Sequence, residues 1–357
     1  MTAMAIEWQN CPASALGDDP SLSEAWDRLS AERESLPFLD AKVISTALDV
    51  FGAGSERLLV GRRGKTIVAM LVLLPQGRFR WITFQPSQIP LGAWVSEGKL
   101  SAVELSRSLC RGALGFCLAV SLTQIDPRLT PREADTAASE TVDYIDTGWI
   151  DISGSFDEYW AARGKNLRQN MRKQRNRLAA EGIATQMREY TAVADMAGAI
   201  ARYGRIESIG WKSGQGTAIH PDNDQGRFYR AMFESAAARN EAIVFEYSFG
   251  DQVVAMNLCL LRAGVLIVLK TTYDESVPST YSPAFLLRQD ELTEFFGEGK
   301  IKRLEYYGRL MDWHTKWTDN KRTLFHLTAY RWPIVKRLAQ WRRGEKTAPS
   351  SPGHPAE

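Results

Sequence analysis

The sequence predicts an α+β fold made of two related halves, and three observations support this prediction. Short apolar runs typical of strands alternate with amphipathic helical segments, which is the pattern of a mixed sheet flanked by helices. The order strand, turn, strand, strand, loop and helix occurs twice, first over residues 56–120 and again over residues 242–296. The length of 357 residues also suits two domains of about 150 residues each.

The two repeats resemble each other most closely at their first hairpins. Residues 64–70 (GKTIVAM) align without a gap with residues 250–256 (GDQVVAM), so that Val-Ala-Met stands at the same distance from the turn glycine. Any two antiparallel hairpins share part of this pattern, but the aligned tripeptide favours duplication. We therefore expect a first domain over residues 1–150, a second over residues 151–345, and a disordered Pro/Ser-rich tail over residues 346–357.

The individual elements follow from periodicity and from turn residues. A lead-in helix through Trp26 should begin at Ser21 or Ser23, both of which are good N-caps. In the first half we expect strands at 58–60, 67–74 and 79–84, and a helix from residue 100 to about residue 120. In the second half we expect strands at 243–248, 253–261 and 265–271, a helix at 283–296 and a strand at 302–307.

Composition and charge are those of an ordinary globular protein. The chain is 44% hydrophobic and 24% charged, with a net charge of +2, so no global field attracts it to nucleic acid or membrane. Its four cysteines form no CxxC pair, which predicts neither a zinc site nor a disulfide framework and suits a reducing compartment. The apolar run 112–125 is too short to span a bilayer and is interpreted as a buried helix. With no signal peptide evident at the N-terminus, we expect a cytoplasmic protein without a bound metal.

One strand-to-helix connection predicts an anion site. The apolar stretch 265–269 leads through a polar loop to Ser282 and Pro283, a good N-cap and a good first helical residue. Unpaired amides and the helix dipole at such a start favour a phosphate, and a coenzyme A pyrophosphate would suit it. A purely structural helix start gives the same pattern.

From about residue 156 to residue 330 the sequence resembles the CelD-like branch of the GNAT acyltransferases, which is distantly related to Fem-type aminoacyltransferases and to GNAT-like bacterial ceramide synthases. The matching features, in order, are the basic stretch 166–178, Gly210-Trp211-Lys212, Tyr281-Ser282-Pro283, and Tyr307-Gly308 followed by Lys316-Trp317. The resemblance implies tandem GNAT-like mixed β-sheet domains flanked by helices, with acyl-CoA as the co-substrate bound in the second half. The first half would then be degenerate and either structural or acceptor-shaping. Two departures leave the donor open: Ala284 replaces the usual glycine, and the Gly-rich pyrophosphate loop of typical GNAT enzymes is missing.

The chemistry of acyl transfer selects candidate residues. The attacking amine needs a base, the tetrahedral intermediate needs donors, and the thiolate needs a proton. Candidate bases are Glu305, His220 and His314, and Tyr307, with its neighbour Tyr306, lies where GNAT enzymes commonly place a tyrosine acid. The candidates for donor binding are Tyr281, Ser282, Pro283, Ala284 and Phe285, and those for acceptor binding are Trp211, Lys212, Asn257, Lys270, Tyr273 and Lys316. Each of these residues also has an ordinary structural interpretation as a surface, capping or packing side chain.

Two basic segments suggest partners beyond a small molecule. Residues 165–177 hold six basic and no acidic residues, and residues 331–346 combine tryptophan with arginine. Together they favour peripheral attachment to an anionic membrane surface on the cytoplasmic side, although a solvated face is the ordinary alternative.

Three functions fit the sequence. The first is an acyl-CoA-dependent N-acyltransferase that acts on an envelope-related amine: an amino sugar, a polysaccharide precursor or a long-chain sphingoid-type amine. The second is a Fem-like transferase that uses aminoacyl-tRNA, although no long heptad-bearing insertion is evident. The third is a non-catalytic binding protein on a GNAT scaffold.

Overall fold

In the computed structural model, which describes residues 5–209 and 219–347, thirteen strands form one mixed sheet. In chain order the strands are β1 (Glu7–Pro12), β2 (Arg57–Arg63), β3 (Thr66–Pro75), β4 (Arg80–Thr83), β5 (Trp94–Ser96), β6 (Ala119–Ile125), β7 (Ser139–Asp151), β8 (Thr185–Tyr190), β9 (Ala242–Phe249), β10 (Gln252–Arg262), β11 (Val265–Tyr273), β12 (Arg303–Glu305) and β13 (Lys321–Tyr330). Their order across the sheet is β1-β2-β3-β4-β6-β13-β7-β12-β11-β10-β9-β8, and β5 pairs with β3 beside this path. The predicted α+β class is confirmed.

The helices pack on both faces of this sheet. They are α1 (Ala15–Asp18), α2 (Pro20–Ala31), α3 (Ala41–Phe51), α4 (Ala102–Ser108), α5 (Phe156–Ala161), α6 (Lys165–Ala180), α7 (Val193–Ile209), α8 (Asp224–Ala237), α9 (Pro283–Glu298) and α10 (Pro333–Thr347). Short 3-10 turns lie at Pro37–Leu39 and His314–Lys316, and a π-helical turn lies at Leu109–Ala113. Helix α10 extends to Thr347, into the segment expected to form the tail, and the rest of that segment lies outside the described residues.

The duplication predicted from the hairpins is visible in the topology. Strands β2, β3 and β4 form an antiparallel meander, and after α4 the next strand of this half, β6, runs parallel to β4. Strands β9, β10 and β11 form the same meander, and after α9 strand β12 runs parallel to β11. The aligned glycines Gly64 and Gly250 both adopt left-handed backbone, with φ of +60° and +56°, which a turn glycine adopts without steric cost.

The two halves are joined through the centre of the sheet rather than by a linker alone. Strand β13, from the end of the chain, pairs antiparallel with β6 of the first half and with β7. Strand β7 in turn pairs with β12 of the second half. The C-terminal strand therefore stands beside a strand of the first half, so the middle of the sheet is built from sequence-distant segments.

Three predictions about the first half are wrong. The helix expected from residue 100 to about 120 is limited to α4 and the π-helical turn that follows, and the run 112–125 is not a buried helix because its second part forms β6. That strand is largely buried between β4 and β13, and a buried strand gives a continuous apolar run that periodicity cannot distinguish from a helix. The lead-in helix α2 is capped by Asp19, whose carboxylate accepts the Ser21 amide at 2.9 Å, and not by Ser21 or Ser23.

Buried residues on the two faces of the second half belong to different hydrophobic clusters. Helices α7 and α8 share one cluster with α2 and α3 of the first half, whereas α6 and α9 pack in another on the opposite face. Neighbouring residues at one strand end can therefore point into different environments, and this decides the geometry of the candidate site.

Candidate active site

The candidate site begins where strands β11 and β12 separate. Their parallel pairing covers three positions and ends at Ile267 opposite Glu305. Strand β11 continues to Tyr273, and beyond Ile267 it pairs, within the described part of the chain, with β10 alone. A bulge in this pairing, at the point where Leu258 faces Lys270 and Cys259 faces Val268, bends β11 further. The result is an opening between two strands, with an unpaired β11 edge along one side.

On the α9 face of this opening, polar side chains form a buried chain of hydrogen bonds. The Thr271 hydroxyl donates to Asn257 Oδ1 at 2.6 Å, and Asn257 Nδ2 donates to Glu291 Oε1 at 2.6 Å. Arg288 Nη1 lies 2.7 Å from the other Glu291 oxygen. Burial raises the pKa of Glu291, while Arg288 and Asn257 oppose that shift. Asn257, a predicted acceptor contact, is thus engaged in an internal network at 1% exposure.

Tyr306 lies beside this network with a free hydroxyl. Its ring centroid is 4.5 Å from that of His314, and the Arg288 guanidinium lies 5.4 Å from the ring centroid. Among the described residues, no hydrogen-bond partner meets its buried hydroxyl oxygen. Burial raises the pKa of Tyr306 to about 12, so the hydroxyl keeps its proton at neutral pH.

His314 is buried and neutral. Its Nδ1 accepts the Met311 amide at 2.9 Å, so the neutral ring carries its proton on Nε2. Burial lowers the pKa of His314 to about 4, and the nearby Arg288 adds to this effect. A ring in this state donates through Nε2 and is poorly suited to the predicted role of general base.

Glu305 and Tyr307 point to the other side, into a buried ion cluster. Arg322 Nη1 lies 2.9 Å from Glu305 Oε2, and Arg322 Nε lies 3.0 Å from both oxygens of Asp126. Arg128 donates to the Tyr307 hydroxyl at 3.1 Å and approaches Glu305 at 3.7 Å. Burial raises the pKa of Glu305, opposed by the two arginines, and burial also raises the pKa of Tyr307.

This cluster has an architectural consequence. Asp126 and Arg128 follow β6 of the first half, whereas Glu305 and Arg322 belong to β12 and β13. The two predicted catalytic residues Glu305 and Tyr307 are therefore already held by partners at the junction of the halves, with Glu305 fully buried.

Lys270 lies on the face covered by α7 and α8. Its ammonium nitrogen is 3.0 Å from a carboxylate oxygen of Glu207 and 5.3 Å from the ring centroid of Tyr229. Glu207 also accepts the Ile219 amide at 2.9 Å. The predicted acceptor contacts Trp211 and Lys212 lie between Glu207 and Ile219 in the sequence, outside the described residues.

A groove of about 490 Å³ opens at the start of α9. Ser282 and Phe285 line it from α9, Gly164 and Asn166 line it from the start of α6, and Arg163 and Lys316 add two positive charges, with Asp319 as the acidic residue at its edge. The first amides of a helix have no carbonyl partner within the helix, and the positive ends of two helix dipoles meet in this space. Helix α9 offers fewer free amides than a typical helix start, because Pro283 has no N–H and the Phe285 amide donates to the Ser282 carbonyl at 3.0 Å. The sequence had indicated only one of these two termini.

The wall of this groove is fixed by contacts to the 3-10 turn. The Tyr159 hydroxyl and Arg163 Nη1 donate to the carbonyl of Trp317 at 2.6 and 3.0 Å. Trp317 is fully buried and packs against Phe285, with ring centroids 5.6 Å apart. Lys316, next to this anchored residue, is thereby positioned over Phe285, 5.3 Å from its ring centroid.

The other predicted residues lie elsewhere or have different local roles. Ser282 does not act as the predicted side-chain cap: it adopts left-handed backbone with φ +43°, and its hydroxyl donates to the Ser279 carbonyl at 2.9 Å. Pro283 is the first residue of α9, as predicted, and Ala284 is half-buried in the same turn. The Tyr281 hydroxyl donates to Glu181 at 2.6 Å. Tyr273 is exposed at the end of β11, and His220 is exposed in the turn before α8.

Comparisons with known proteins define the class. Residues 165–315 match the model of the acetyltransferase (GNAT) domain family. The match places an acetyltransferase domain of the GNAT type in this part of the chain and indicates an acyltransferase. The finer assignment to the CelD-like branch stays a prediction.

Two solved structures are similar to the whole chain. One is the C-terminal domain of a putative lysylphosphatidylglycerol synthetase from Agrobacterium fabrum, with a TM-score of 0.51 and 13% identity over 93% of this chain and 99% of that one. The other is a conserved protein of unknown function from Bacteroides thetaiotaomicron, with a TM-score of 0.54 and 9% identity over 91% of this chain and 100% of that one. At such identities the likeness shows the fold alone. No curated protein sequence matches the chain.

Proposed function

We propose that the protein transfers an acyl group from acyl-CoA to the amine of an envelope-related acceptor. The observation that carries this proposal is the groove beside α9, where two helix N-termini and two cationic side chains meet. The acceptor classes that fit are those expected from the sequence: an amino sugar, a polysaccharide precursor or a long-chain sphingoid-type amine.

The groove suits the diphosphate of the donor. Its volume of about 490 Å³ lies within the roughly 300–1,000 Å³ common for ligand sites. The dipoles of α6 and α9 both place their positive ends there, and Lys316 supplies a full positive charge. Arg163 supplies a second one, which is partly offset by Asp319 at 3.5 Å. Arg163 is held by the Trp317 carbonyl, which limits the ordering that a ligand would have to impose on it.

The unpaired edge of β11 suits the extended arm of the donor. Beyond Ile267 this edge faces the opening left by β12. Free strand edges present alternating N–H and C=O groups that can pair with an extended chain of amides, and the arm of coenzyme A contains such amides. A thioester placed along this edge would lie between the faces that carry Tyr306 and Lys270.

In this proposal Tyr306 supplies the proton to the leaving thiolate. The amine nitrogen attacks the thioester carbonyl, and the tetrahedral intermediate collapses with cleavage of the C–S bond. The thiolate accepts a proton from the hydroxyl, and the proton lost by the amine nitrogen restores the tyrosine. Tyr306 fits this role better than Tyr307 because its hydroxyl is unpartnered among the described residues, whereas that of Tyr307 is engaged by Arg128.

Two substitutions in the groove test donor binding, one by filling the groove and the other by reversing a charge. Ser282→Trp should fill the groove, and Lys316→Glu should reverse one of its charges. Each is expected to weaken acyl-CoA binding at least about tenfold, since charged hydrogen bonds are worth about 1.5–3 kcal/mol. Isothermal titration with acetyl-CoA and a long-chain acyl-CoA measures this, with Lys42→Glu, an exposed site on α3, as the charge control. Unchanged affinity in both groove variants would remove the donor from this groove.

The proton donor is tested by comparing two tyrosine variants. Tyr306→Phe should lower kcat at least about tenfold while KM for the donor stays within a factor of two, since acid catalysis contributes about 10²–10⁴ in rate. Tyr307→Phe should affect stability more than turnover because it loses the contact with Arg128. The opposite pattern of kcat values would assign the acid to Tyr307.

A second candidate donor, aminoacyl-tRNA, is favoured by one separate feature. A groove of about 620 Å³ runs along α6 and is lined by Lys165, Arg168, Arg172 and Arg175, in addition to Trp160. Such a basic track suits RNA phosphates, and its affinity would fall steeply with salt. This donor would be favoured if charged tRNA binds at low salt and supports transfer, and if Arg168→Glu/Arg172→Glu abolishes its binding. If charged tRNA supports no transfer, acyl-CoA stays the proposed donor.

A further inference from the structure

Helix α10 is attached to the protein by its polar side. Lys336 Nζ donates to the carbonyls of Thr136 and Ser139 at 2.8 and 2.7 Å. Gln340 Nε2 donates to Glu140 at 3.0 Å, and Arg343 pairs with the same carboxylate. These three residues repeat at helical spacing, so one polar stripe of α10 faces the start of β7.

The apolar side of the same helix is left outside. Ile334, Leu338 and Trp341 follow the same spacing two residues earlier, which is about 200° around the helix axis from the polar stripe. Their side chains are 55%, 54% and 61% exposed. A surface helix normally buries its apolar stripe and exposes its polar one. Helix α10 departs from this rule because three of its large apolar side chains are more than half exposed.

Two aromatic rings continue this surface at the start of the helix. Trp332 is 44% exposed and Phe116, from the segment before β6, is 56% exposed; their ring centroids are 6.3 Å apart. The Arg331 guanidinium lies 5.0 Å from the Trp332 ring centroid and 5.9 Å from that of Phe116. Together with Ile334, Leu338 and Trp341, these two rings form what we call the α10 apolar surface.

Cations predominate around the α10 apolar surface. Residues 331–343 contain five cations and no acidic residue. Lys336 is held by two backbone carbonyls, and Arg343 pairs with Glu140 while its side chain stays 52% exposed. Arg337 and Arg342 are exposed on the helix, and Arg331 lies beside the two rings. A groove of about 580 Å³ beside α10 is lined by Leu118 from the sheet and by Val335, Leu338, Ala339 and Trp341 from the helix, so the α10 apolar surface continues into it.

We infer that the α10 apolar surface docks on an anionic lipid bilayer, with α10 lying in the plane of the membrane interface. Helices that lie in the membrane interface typically carry exposed aliphatic side chains, tryptophans at the level of the headgroups, and arginines at the edge of the apolar surface. The excess of cations complements anionic headgroups, each cation adding to the attraction. No helix of the described part of the chain is long and apolar enough to span a membrane, so this attachment is peripheral. It does not depend on the proposed acyl-CoA site.

The inference also separates the two basic segments of the sequence. Both were expected to contact a membrane. Residues 165–177 form most of α6, whose buried side chains are the apolar Leu167, Met171 and Leu178 and whose basic side chains line grooves beside α9. The segment 331–346 alone combines exposed cations with exposed apolar side chains, and the inference concerns that segment only.

The test is co-sedimentation of the full chain with vesicles of phosphatidylcholine alone or with a third of phosphatidylglycerol. We expect binding to the anionic vesicles that weakens as salt is raised. Leu338→Ser/Trp341→Ser should reduce the partition coefficient at least about tenfold, and Arg337→Gln/Arg342→Gln should reduce it and remove most of the salt dependence. Val193→Ser, an equally exposed apolar site on α7, is the control that keeps full binding.

Two results would overturn the inference. One is the absence of binding to anionic vesicles, or equal binding by the parent and by both double variants. The other is a concentration-dependent dimer in sedimentation equilibrium that Leu338→Ser/Trp341→Ser abolishes, which would assign the surface to a second copy of the chain. Thermal unfolding of the variants should match the parent because the substituted side chains are exposed, so lost binding is not a folding defect.

Discussion

The buried imidazole of His314 should make the folded protein lose stability in a defined acid window. The ring is 6% exposed, stacks on Trp313 with centroids 3.5 Å apart and accepts a backbone amide through Nδ1. Protonation would place a charge in this site next to the cationic Arg288, which is why the pKa of His314 is lowered to about 4.

The size of this stability loss follows from the linkage between proton binding and folding. In the unfolded chain the imidazole takes up a proton as the pH falls through about 6.5, but in the folded protein it does so only near 4. Within this window the unfolded state binds more protons, so the free energy of unfolding falls as the pH falls. A depression of the pKa from 6.5 to about 4, at 1.36 kcal/mol for each pH unit, corresponds to about 3 kcal/mol.

Urea unfolding at a series of pH values, for the parent and for His314→Gln, measures this contribution. The glutamine can accept the Met311 amide but does not titrate. The variant is expected to be less stable near neutral pH, and the gap should narrow by about 3 kcal/mol on going to about pH 4. His220→Gln, which removes an imidazole from an exposed turn, is the control substitution.

Parallel stability curves for the parent and His314→Gln would refute this reasoning. They would mean that the folded ring is protonated as readily as the unfolded one. The neutral, Nε2-protonated state assigned to His314 would then be wrong, and its exclusion as a general base would fall with it.

Two other substitutions test the packing that positions the site. Arg322→Met removes the nearer of the two arginines shared by the buried Asp126 and Glu305 and leaves only Arg128, at 3.9 and 3.7 Å. This should lower the free energy of unfolding by about 3–5 kcal/mol in chemical denaturation. Arg227→Gln, at an exposed ion pair, should change it by less than about 1 kcal/mol. A loss near 1 kcal/mol in Arg322→Met would show that the cluster is hydrated. Gly226→Ala would place a methyl group 1.8 Å from the His220 carbonyl oxygen and should cost about 2 kcal/mol or more. Gly297→Ala, with nothing within 4 Å of its added methyl group, should stabilise α9 by about 0.5–1 kcal/mol; equal effects of the two glycine substitutions would contradict the contact at Gly226.

Local patterns predicted the second half well. Strands β9, β10 and β11 and helix α9 lie close to their expected positions, because their turns carry glycine and their apolar runs are bounded by polar residues. Most of the expected elements of the first half are also present. The exception, β6, shows the limit of periodicity: its apolar run carries no signal of whether a helix or two flanking strands will bury it.

The site residues were harder to choose from sequence for a related reason. Tyr306 and Tyr307 are adjacent, and the sequence gives no preference between them. At the end of β12, Tyr306 lies in the hydrophobic cluster below α9, whereas the Tyr307 hydroxyl contacts Arg128 of the first half. In the same way, the basic pattern of residues 165–177 indicated a charged helix, but only its place next to α9 shows that its N-terminus opens into the candidate donor groove.

The amino-acid sequence by itself determined the fold class, the duplication, the GNAT resemblance and the helix that begins at Pro283, because each depends on short-range spacing of apolar, turn and capping residues. Tertiary structure alone decided which strands separate, which tyrosine keeps a free hydroxyl, and which side of α10 faces outward. These properties depend on contacts between segments such as β6 and β13, or α10 and β7, that lie some two hundred residues apart, and the sequence carries no local signal for such contacts.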